Sequence, residues 1–308
     1  MIITVTMNPA IDKTVEVDHF CPGKLNRIGY PVTDAGGKGI NVSKALKKLG
    51  ETSIATGFLG KAGSDIILDV LSAEQIQTDF ISCEGITRTN FKLMELDGTL
   101  TELNEPGMTV AREKVEELLE KIEQYATKDV WFVLSGSIPE GVDVDIYARI
   151  ITKVHQKGAK VFVDADGRAL IEAIKAVPDM IKPNEAELAE YFGIRRELSQ
   201  EEILQLTKRL SDIGIETVVV SQGSRGAVFA DAGEEKLVYQ NALAVEVHST
   251  VGAGDAMAAA LVYAKEKKLP MQKMVQLAMA VSAGAVVTAG TNPPDRETIE
   301  AILQKFYG

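Results

Sequence analysis

Apolar and polar positions along this chain follow two rhythms, and the rhythms themselves alternate. Met1-Ile2-Ile3-Thr4-Val5-Thr6 reads as a strand. Val42, Ala45, Leu46 and Leu49 then fall on one helical face, with Gly50 placed to end the helix. Val115, Leu118, Leu119 and Ile122 repeat the helical spacing, and residues 130–134 form a continuous apolar strand. Ile146, Ile150, Ile151 and Val154 predict the next helix, closing near Gly158, and residues 160–164 the next strand. A short helix follows, and Met180-Ile181 leads into Lys182-Pro183-Asn184. Ser199 and Glu202 have the spacing of a capping box, in which each side chain satisfies a free backbone donor of the other residue. Ile203, Leu206, Leu210 and Ile213 are predicted as the apolar face behind it. Residues 217–221 read as a buried strand, and 227–230, 237–240 and 243–247 as shorter ones. The last third is predicted helical over 253–265, 271–288 and 295–306.

Strands that alternate with helices predict α/β layering around a mostly parallel sheet. Two stretches, 14–32 and 91–103, have β character but no partner helices, and are expected to pair as a small sheet over the main body. With no internal repeat, low-complexity tract or linker, the chain is expected to form a single domain over 1–308. The small sheet would act as a lid, built from about 12–34 and 88–104.

Composition narrows the function classes. The chain has 308 residues, of which 45% are apolar and 25% charged, as in an ordinary soluble enzyme. No apolar run has membrane-spanning length and the N-terminus has no signal pattern, so a cytoplasmic location is expected. The net charge of −11 argues against a nucleic-acid partner, whose phosphates need clustered Lys and Arg. Cys21 and Cys83, and the histidines at 19, 155 and 248, lack metal-ligand spacing. His248 is expected to serve packing.

Several motifs carry chemistry. In Ser249-Thr250-Val251-Gly252-Ala253-Gly254-Asp255, glycines let consecutive N–H groups point one way, and a helix starting there adds its positive end. An acid beside such an anion nest suits a base that takes a proton from a hydroxyl attacking a phosphoryl group. A Gly-rich turn with Asp255 as a cap is the alternative. Gly36-Gly37-Lys38-Gly39-Ile40-Asn41 allows close approach of a ligand, with Lys38 and Asn41 as donors, or is a strand-to-helix turn. Neither a Walker A loop nor a dinucleotide fingerprint occurs, and Gly57-Phe58-Leu59-Gly60-Lys61 reads as a strand-end turn. Ser221-Gln222-Gly223-Ser224-Arg225-Gly226 ends a buried strand, where α/β sheets bind ligands, although a plain hairpin fits equally. Asn184 and Glu187 could serve Mg²⁺ through water, or simply open a helix. Asp12 follows the first strand and could accept from vicinal sugar hydroxyls, with turn capping as the alternative. Arg88 and Asn90 begin the second lid segment.

Taken in order, these motifs resemble the ribokinase-like sugar kinases, the PfkB family, across essentially the whole chain. The two most specific pieces are G-G-K-G-x-N at 36–41 and T-V-G-A-G-D at 250–255. The resemblance implies a three-layer α/β/α domain with a small β-sheet lid, and an ATP-dependent kinase using Mg²⁺. Thr6 to Asp12, Leu25-Asn26-Arg27 and Thr87 to Leu93 look most like members acting on phosphorylated ketohexoses. That implies transfer to the 6-hydroxyl of fructose 1-phosphate, with tagatose 6-phosphate as the alternative acceptor and a non-catalytic sugar or nucleotide sensor as the rival class. The resemblance further implies Asp255 as base, with the Gly252, Ala253 and Gly254 amides stabilising the transferred group. Asp12, Gly37 and Asn41 would orient the sugar, Lys38, Arg88 and Arg27 would hold its phosphate, and Ser137 would line the pocket. Ser221, Gly223, Gly226 and Thr250 would meet ATP, with Asn184 and Glu187 organising the metal and triphosphate. A homodimer through the lid is implied as well. Two positions depart from the family pattern: Ser249, where many members carry Asp, and Asp166, where Ser is usual. Asp166 is expected either to point away from the triphosphate or to serve the metal.

Overall fold

The computed structural model describes residues 1–234, 237–288 and 292–308. In chain order, β1 (Ile2–Thr6), β2 (Ala10–Val17) and β3 (Val32–Gly36) precede α1 (Lys38–Lys48), β4 (Ser53–Ala62) and α2 (Ser64–Ala73). Four strands follow: β5 (Gln77–Thr78), β6 (Ile81–Ile86), β7 (Arg88–Glu95) and β8 (Leu100–Asn104). Helices and strands then alternate as α3 (Arg112–Tyr125), β9 (Trp131–Ser135), α4 (Ile146–Gln156), β10 (Lys160–Asp164), α5 (Gly167–Lys175) and β11 (Met180–Ile181). Next come α6 (Glu185–Tyr191), α7 (Gln200–Asp212), β12 (Thr217–Ser221), β13 (Ala227–Asp231) and β14 (Val238–Gln240). The helices α8 (Ala253–Glu266), α9 (Met271–Val287) and α10 (Arg296–Tyr307) complete the chain.

The main sheet runs β14-β13-β12-β11-β10-β9-β1-β4-β5, with β6 also on β4. Its pairs are parallel except β12–β13 and β13–β14. Parallel strands need crossovers, and these cover both faces with helices, so the central strands are buried and mostly apolar. Successive side chains in a strand point to opposite faces. Ile3, Val5, Phe132, Leu134, Val161, Val163, Val218 and Val220 accordingly pack under α3–α7. Ile2, Trp131, Val133, Phe162 and Val219 pack under α1 and α8–α10. Gly57, at φ +126°, lies inside β4 beside Thr6, and a Cβ there would overlap the Thr6 carbonyl. The 57–61 segment is therefore the middle of a ten-residue strand, not the strand-end turn expected from its glycines.

A separate four-stranded sheet, ordered β3-β2-β7-β8, forms from the two segments that lacked helices. β2 pairs parallel with β7 although they are far apart in the chain, in a register that sets Asp12 beside Asn90 and Thr14 beside Lys92. Ile11 and Ala35 on one face join a core cluster with Ile40 of α1, Leu59 of β4, and Ile67 and Leu71 of α2. This anchors the small sheet to the main body.

Two further sequence expectations fail for identifiable reasons. Residues 243–247 form no strand; Leu243 and Val245 instead pack on Ala280, Ala283 and Ile302 of the last two helices, which imposes the same alternation without a partner strand. Ile213 does not extend the buried face of α7, because it is the C-cap residue beyond the last turn and is 48% exposed. The Ser199–Glu202 capping box is present in both directions. No described helix is long and apolar enough to cross a membrane.

Candidate active site

The carboxyl ends of the central parallel strands converge on one charged cluster. Asp164 ends β10 and is 2% exposed; Lys182 follows β11 and is 6% exposed. Lys38, the first residue of α1, reaches across from the glycine turn after β3. Its Nζ lies 3.5 Å from Asp164 Oδ1, and the Lys182 Nζ lies 3.3 Å from Oδ2. The Lys182 contact is an ion pair without hydrogen-bond alignment, so Oδ2 is a buried oxygen with no donor. Burial pushes the Asp164 carboxyl up, but Lys182 and Lys38 outweigh it and hold it below the ordinary carboxylate range. In turn Asp164, more than any other group, holds Lys38 above the ordinary lysine range.

Asp255 stands next to this cluster, in the first turn of α8. The N-cap of that helix, Gly252, sits at φ +81°, the left-handed conformation that turns the loop into the helix. Asn41 Nδ2 donates to Asp255 Oδ2 at 2.7 Å, joining two motifs 214 residues apart. Burial first, and the Asp164 charge second, push Asp255 up to about 6, against the pull of Asn41, Lys38 and Lys182. A Cβ on Gly254 would lie 3.5 Å from the Lys182 ammonium, so that lysine borders the amide nest. The cluster thus combines a carboxylate that is ionised near neutrality, a glycine turn of free amides and two lysines. This is equipment for deprotonating an alcohol beside an anion.

Asp12 lies within β2, not in the turn after the first strand, and is 5% exposed. Lys92 Nζ donates to its Oδ2 at 2.6 Å and Asn90 Nδ2 to its Oδ1 at 3.2 Å. Gly36 is flush behind the carboxyl, where any Cβ would overlap it. Gly37, at φ +113°, leaves no room for a Cβ beside the Thr6 methyl, 2.8 Å away. Arg88 donates from Nη2 to the Asn8 carbonyl at 2.9 Å and from Nη1 to the Glu105 carbonyl at 3.1 Å, leaving its buried Nε unpartnered. Ser137 Oγ accepts from Asn8 Nδ2 at 3.4 Å. Arg27 is exposed, and no ion pair or hydrogen bond joins its side chain to this cluster among the described residues.

The remaining candidates line the same edge of the sheet. Ser221 ends β12, and Gly223 lies in a short 3₁₀ turn. Gly226, at φ +107°, sits where a Cβ would overlap Gln240. The segment is both the β12–β13 hairpin and a strand-end loop. Asn184 and Glu187 form a reciprocal capping box at α6: Glu187 N donates to Asn184 Oδ1 at 2.9 Å and Asn184 N to Glu187 Oε2 at 2.8 Å. The cap occupies the Asn184 oxygen and leaves Glu187 Oε1 free. Thr250 is exposed, and Ser249 Oγ accepts from Val251 N at 3.2 Å, so its serine shapes the loop. Asp166 is the exposed N-cap of α5 without a side-chain cap bond, close enough to Lys38 and Arg88 to influence both electrostatically. His248 does not pack as expected: its ring is exposed, and its backbone N donates to the Val286 carbonyl at 2.9 Å. Among the described residues no group of three or more His, Cys, Asp or Glu could by itself hold a metal ion.

Residues missed in the sequence are Asp164, Lys182 and Lys92. Each is charged yet buried; the available signal was a charge at the end of an apolar strand for Asp164 and Lys182, and a lysine inside a strand for Lys92.

Comparison with known proteins matches residues 5–298 to the family described as pfkB family carbohydrate kinase. The chain is 32% identical over 306 residues to a 1-phosphofructokinase of Vibrio cholerae, covering 99% of this chain and 95% of that protein. It is 33% identical to a D-tagatose-1-phosphate kinase of Bacillus licheniformis, covering 94% of each. The crystal structure of phosphofructokinase-2 from Escherichia coli in complex with substrates and products superposes with a TM-score of 0.94 at 26% identity. That match covers 100% of this chain and 99% of the other.

Proposed function

This chain belongs to the pfkB family of carbohydrate kinases, and from that premise we propose that it transfers the γ-phosphate of ATP to the 6-hydroxyl of fructose 1-phosphate, giving fructose 1,6-bisphosphate and ADP. The observation that carries this reading is Asp255, held by Asn41 at the mouth of the glycine turn and flanked by the two lysines that share Asp164. The 1-phosphofructokinase relatives, similar over almost the full chain, support the acceptor.

Asp255 takes the proton from the attacking hydroxyl while the new oxygen–phosphorus bond forms and the bond to the ADP oxygen breaks. The amides of Gly252, Ala253 and Gly254, with Lys182 beside them, stabilise charge on the transferred group. Asp12, Gly37 and Asn41 orient the sugar; Lys38, Arg88 and Arg27 hold its phosphate, and Ser137 lines the pocket. Ser221, Gly223, Gly226 and Thr250 meet the nucleotide. The donor-free Asp164 Oδ2 and the free Glu187 Oε1 fit the water shell of Mg²⁺, with Asn184 holding Glu187 in place. Bound with the nucleotide, that ion would neutralise phosphate charge. The small sheet acts as a lid that keeps water, a competing acceptor, from the γ-phosphate.

The tagatose relative favours a second acceptor of the same class. Initial rates with ATP on fructose 1-phosphate, tagatose 1-phosphate, tagatose 6-phosphate and fructose 6-phosphate separate the choices, with fructose 1-phosphate expected to give the highest kcat/KM. Turnover of unphosphorylated sugars alone would refute the phosphate grip.

We also propose a homodimer through the small sheet. The segment carrying Arg27 exposes Leu25, Ile28, Tyr30 and Val32, at 76%, 51%, 101% and 66%, a run of apolar side chains that favours burial against a second copy. Sedimentation velocity is expected to give a dimer that Tyr30→Asp converts to monomer. A wild-type monomer at micromolar concentration rejects the proposal.

A further inference from the structure

We infer that Lys92 is a positioning residue for the acceptor: from the small sheet it neutralises Asp12 and fixes its carboxylate, so that this acid can receive sugar hydroxyls next to a phosphate instead of repelling it. The inference deepens the kinase reading above and rests on it.

Both members of the pair are almost fully buried, at 7% and 6% side-chain exposure, and their contact is 2.6 Å. A lysine seldom enters a strand interior, because desolvating its ammonium is costly without a partner. A purely structural ion pair could also sit there. Three features point to a ligand. Arg88, Asn90 and Lys92 are alternate residues of one strand and so share a face, the face on which Asp12 lies. On that face Asn90 Oδ1 and Arg88 Nε are buried with no partner, although Asn90 already spends its amide on Asp12. Gly36 removes all bulk from behind the carboxyl. A polyhydroxylated ligand would supply the missing partners.

Charge gives the lysine its purpose. The groups around Asp12 are Lys92 and Arg88 from β7, Asp34 opposite it on β3, and Glu102 opposite Lys92 on β8. Asp34 is already paired with Lys44 of α1 at 2.6 Å, and Glu102 is exposed. Of the acids that act on Arg88, Asp12 is the strongest, ahead of Asp166 and Glu105, and Lys92 cancels that strongest one, which leaves more of the arginine's charge for a phosphate. Remove the lysine, and the acid and the arginine cancel each other.

The test compares wild type, Lys92→Met, Asp12→Asn and the double variant, with fructose 1-phosphate as acceptor and ATP as donor. Lys92→Met is expected to raise the acceptor KM on the order of 10- to 100-fold, the scale of a charge-assisted hydrogen bond, while the ATP KM stays within about twofold. Because Lys92 acts through Asp12, adding Lys92→Met to Asp12→Asn should change the acceptor KM by no more than about threefold. That comparison also stands if Lys92→Met alone does not fold, since neither Asp12→Asn nor the double variant leaves the Asp12 carboxylate buried without its partner. An unchanged acceptor KM in Lys92→Met, equal rises for acceptor and ATP, or full additivity overturns the role. If wild type does not phosphorylate fructose 1-phosphate, the functional reading is what fails. The same variants are then compared on the acceptor it does use, where an unchanged KM sinks the inference separately.

Discussion

Asp255→Asn is expected to lower kcat by roughly 10²–10⁴-fold, the usual worth of a positioned general base. The substitution preserves shape, and an amide oxygen can still accept from Asn41, so the loss reports the missing proton acceptor. In the wild-type enzyme kcat/KM should fall as the pH drops through about 6, where the buried carboxyl protonates. Stability should move the other way. Because the folded state raises this carboxyl from the ordinary 3.8 to about 6, its contribution is fully present below 3.8 and is lost as pH rises through about 6. Above pH 7 the folded enzyme carries an unfavourable buried charge, which the amide removes. Thermal melts at pH 8 are therefore expected to show Asp255→Asn more stable than wild type, by on the order of 1–3 kcal/mol. Wild-type turnover in the variant would exclude the base, and a less stable variant at pH 8 would contradict the burial argument.

Asp164→Asn should have the largest effect on stability. It leaves Lys38 and Lys182 facing each other with no carboxylate between them. Breaking a buried ion pair typically costs 3–5 kcal/mol; about 2–4 is expected here because the Lys38 side chain is 32% exposed and partly solvated. The two lysines hold Asp164 below its ordinary value, so its contribution is present at neutral pH and lost as pH falls through that lowered pKa. Urea unfolding should show the gap between variant and wild type narrowing in acid. Any residual activity carries a second signature. Asp164 is the principal charge pushing Asp255 up, so the acid limb of the kcat/KM profile should shift to lower pH. A limb that stays in place would mean the two carboxylates are electrostatically independent.

The parts of this molecule that were legible in the sequence are those whose cause is local. Glycines at 252 and 37 mark turns because only their own backbone needs the unusual φ. The Ser199 cap is legible because both partners lie within four residues. The apolar strands announce burial on two faces wherever their neighbours lie, and helices on both sides of the sheet follow from that. What stayed hidden depends on partners far along the chain. Lys92 reads as a solvated strand residue until the β2–β7 register places it against Asp12. Asp164 and Lys182 read as strand ends until the sheet order makes them neighbours. The 243–247 stretch misleads for the converse reason, since helices below it mimic the alternation of a strand. Asn184 and Glu187 were legible as a pair, but the cap they form takes one oxygen of each from any other task.

The three contacts that assemble the site, Lys92 with Asp12, Lys38 with Asp164 and Asn41 with Asp255, span 80, 126 and 214 residues. The later partner of each contact, at 92, 164 and 255, is synthesised in that order, and the last only when most of the chain has been made. A chain that stops short of α8 lacks Asp255, and so has no candidate proton acceptor to offer an alcohol.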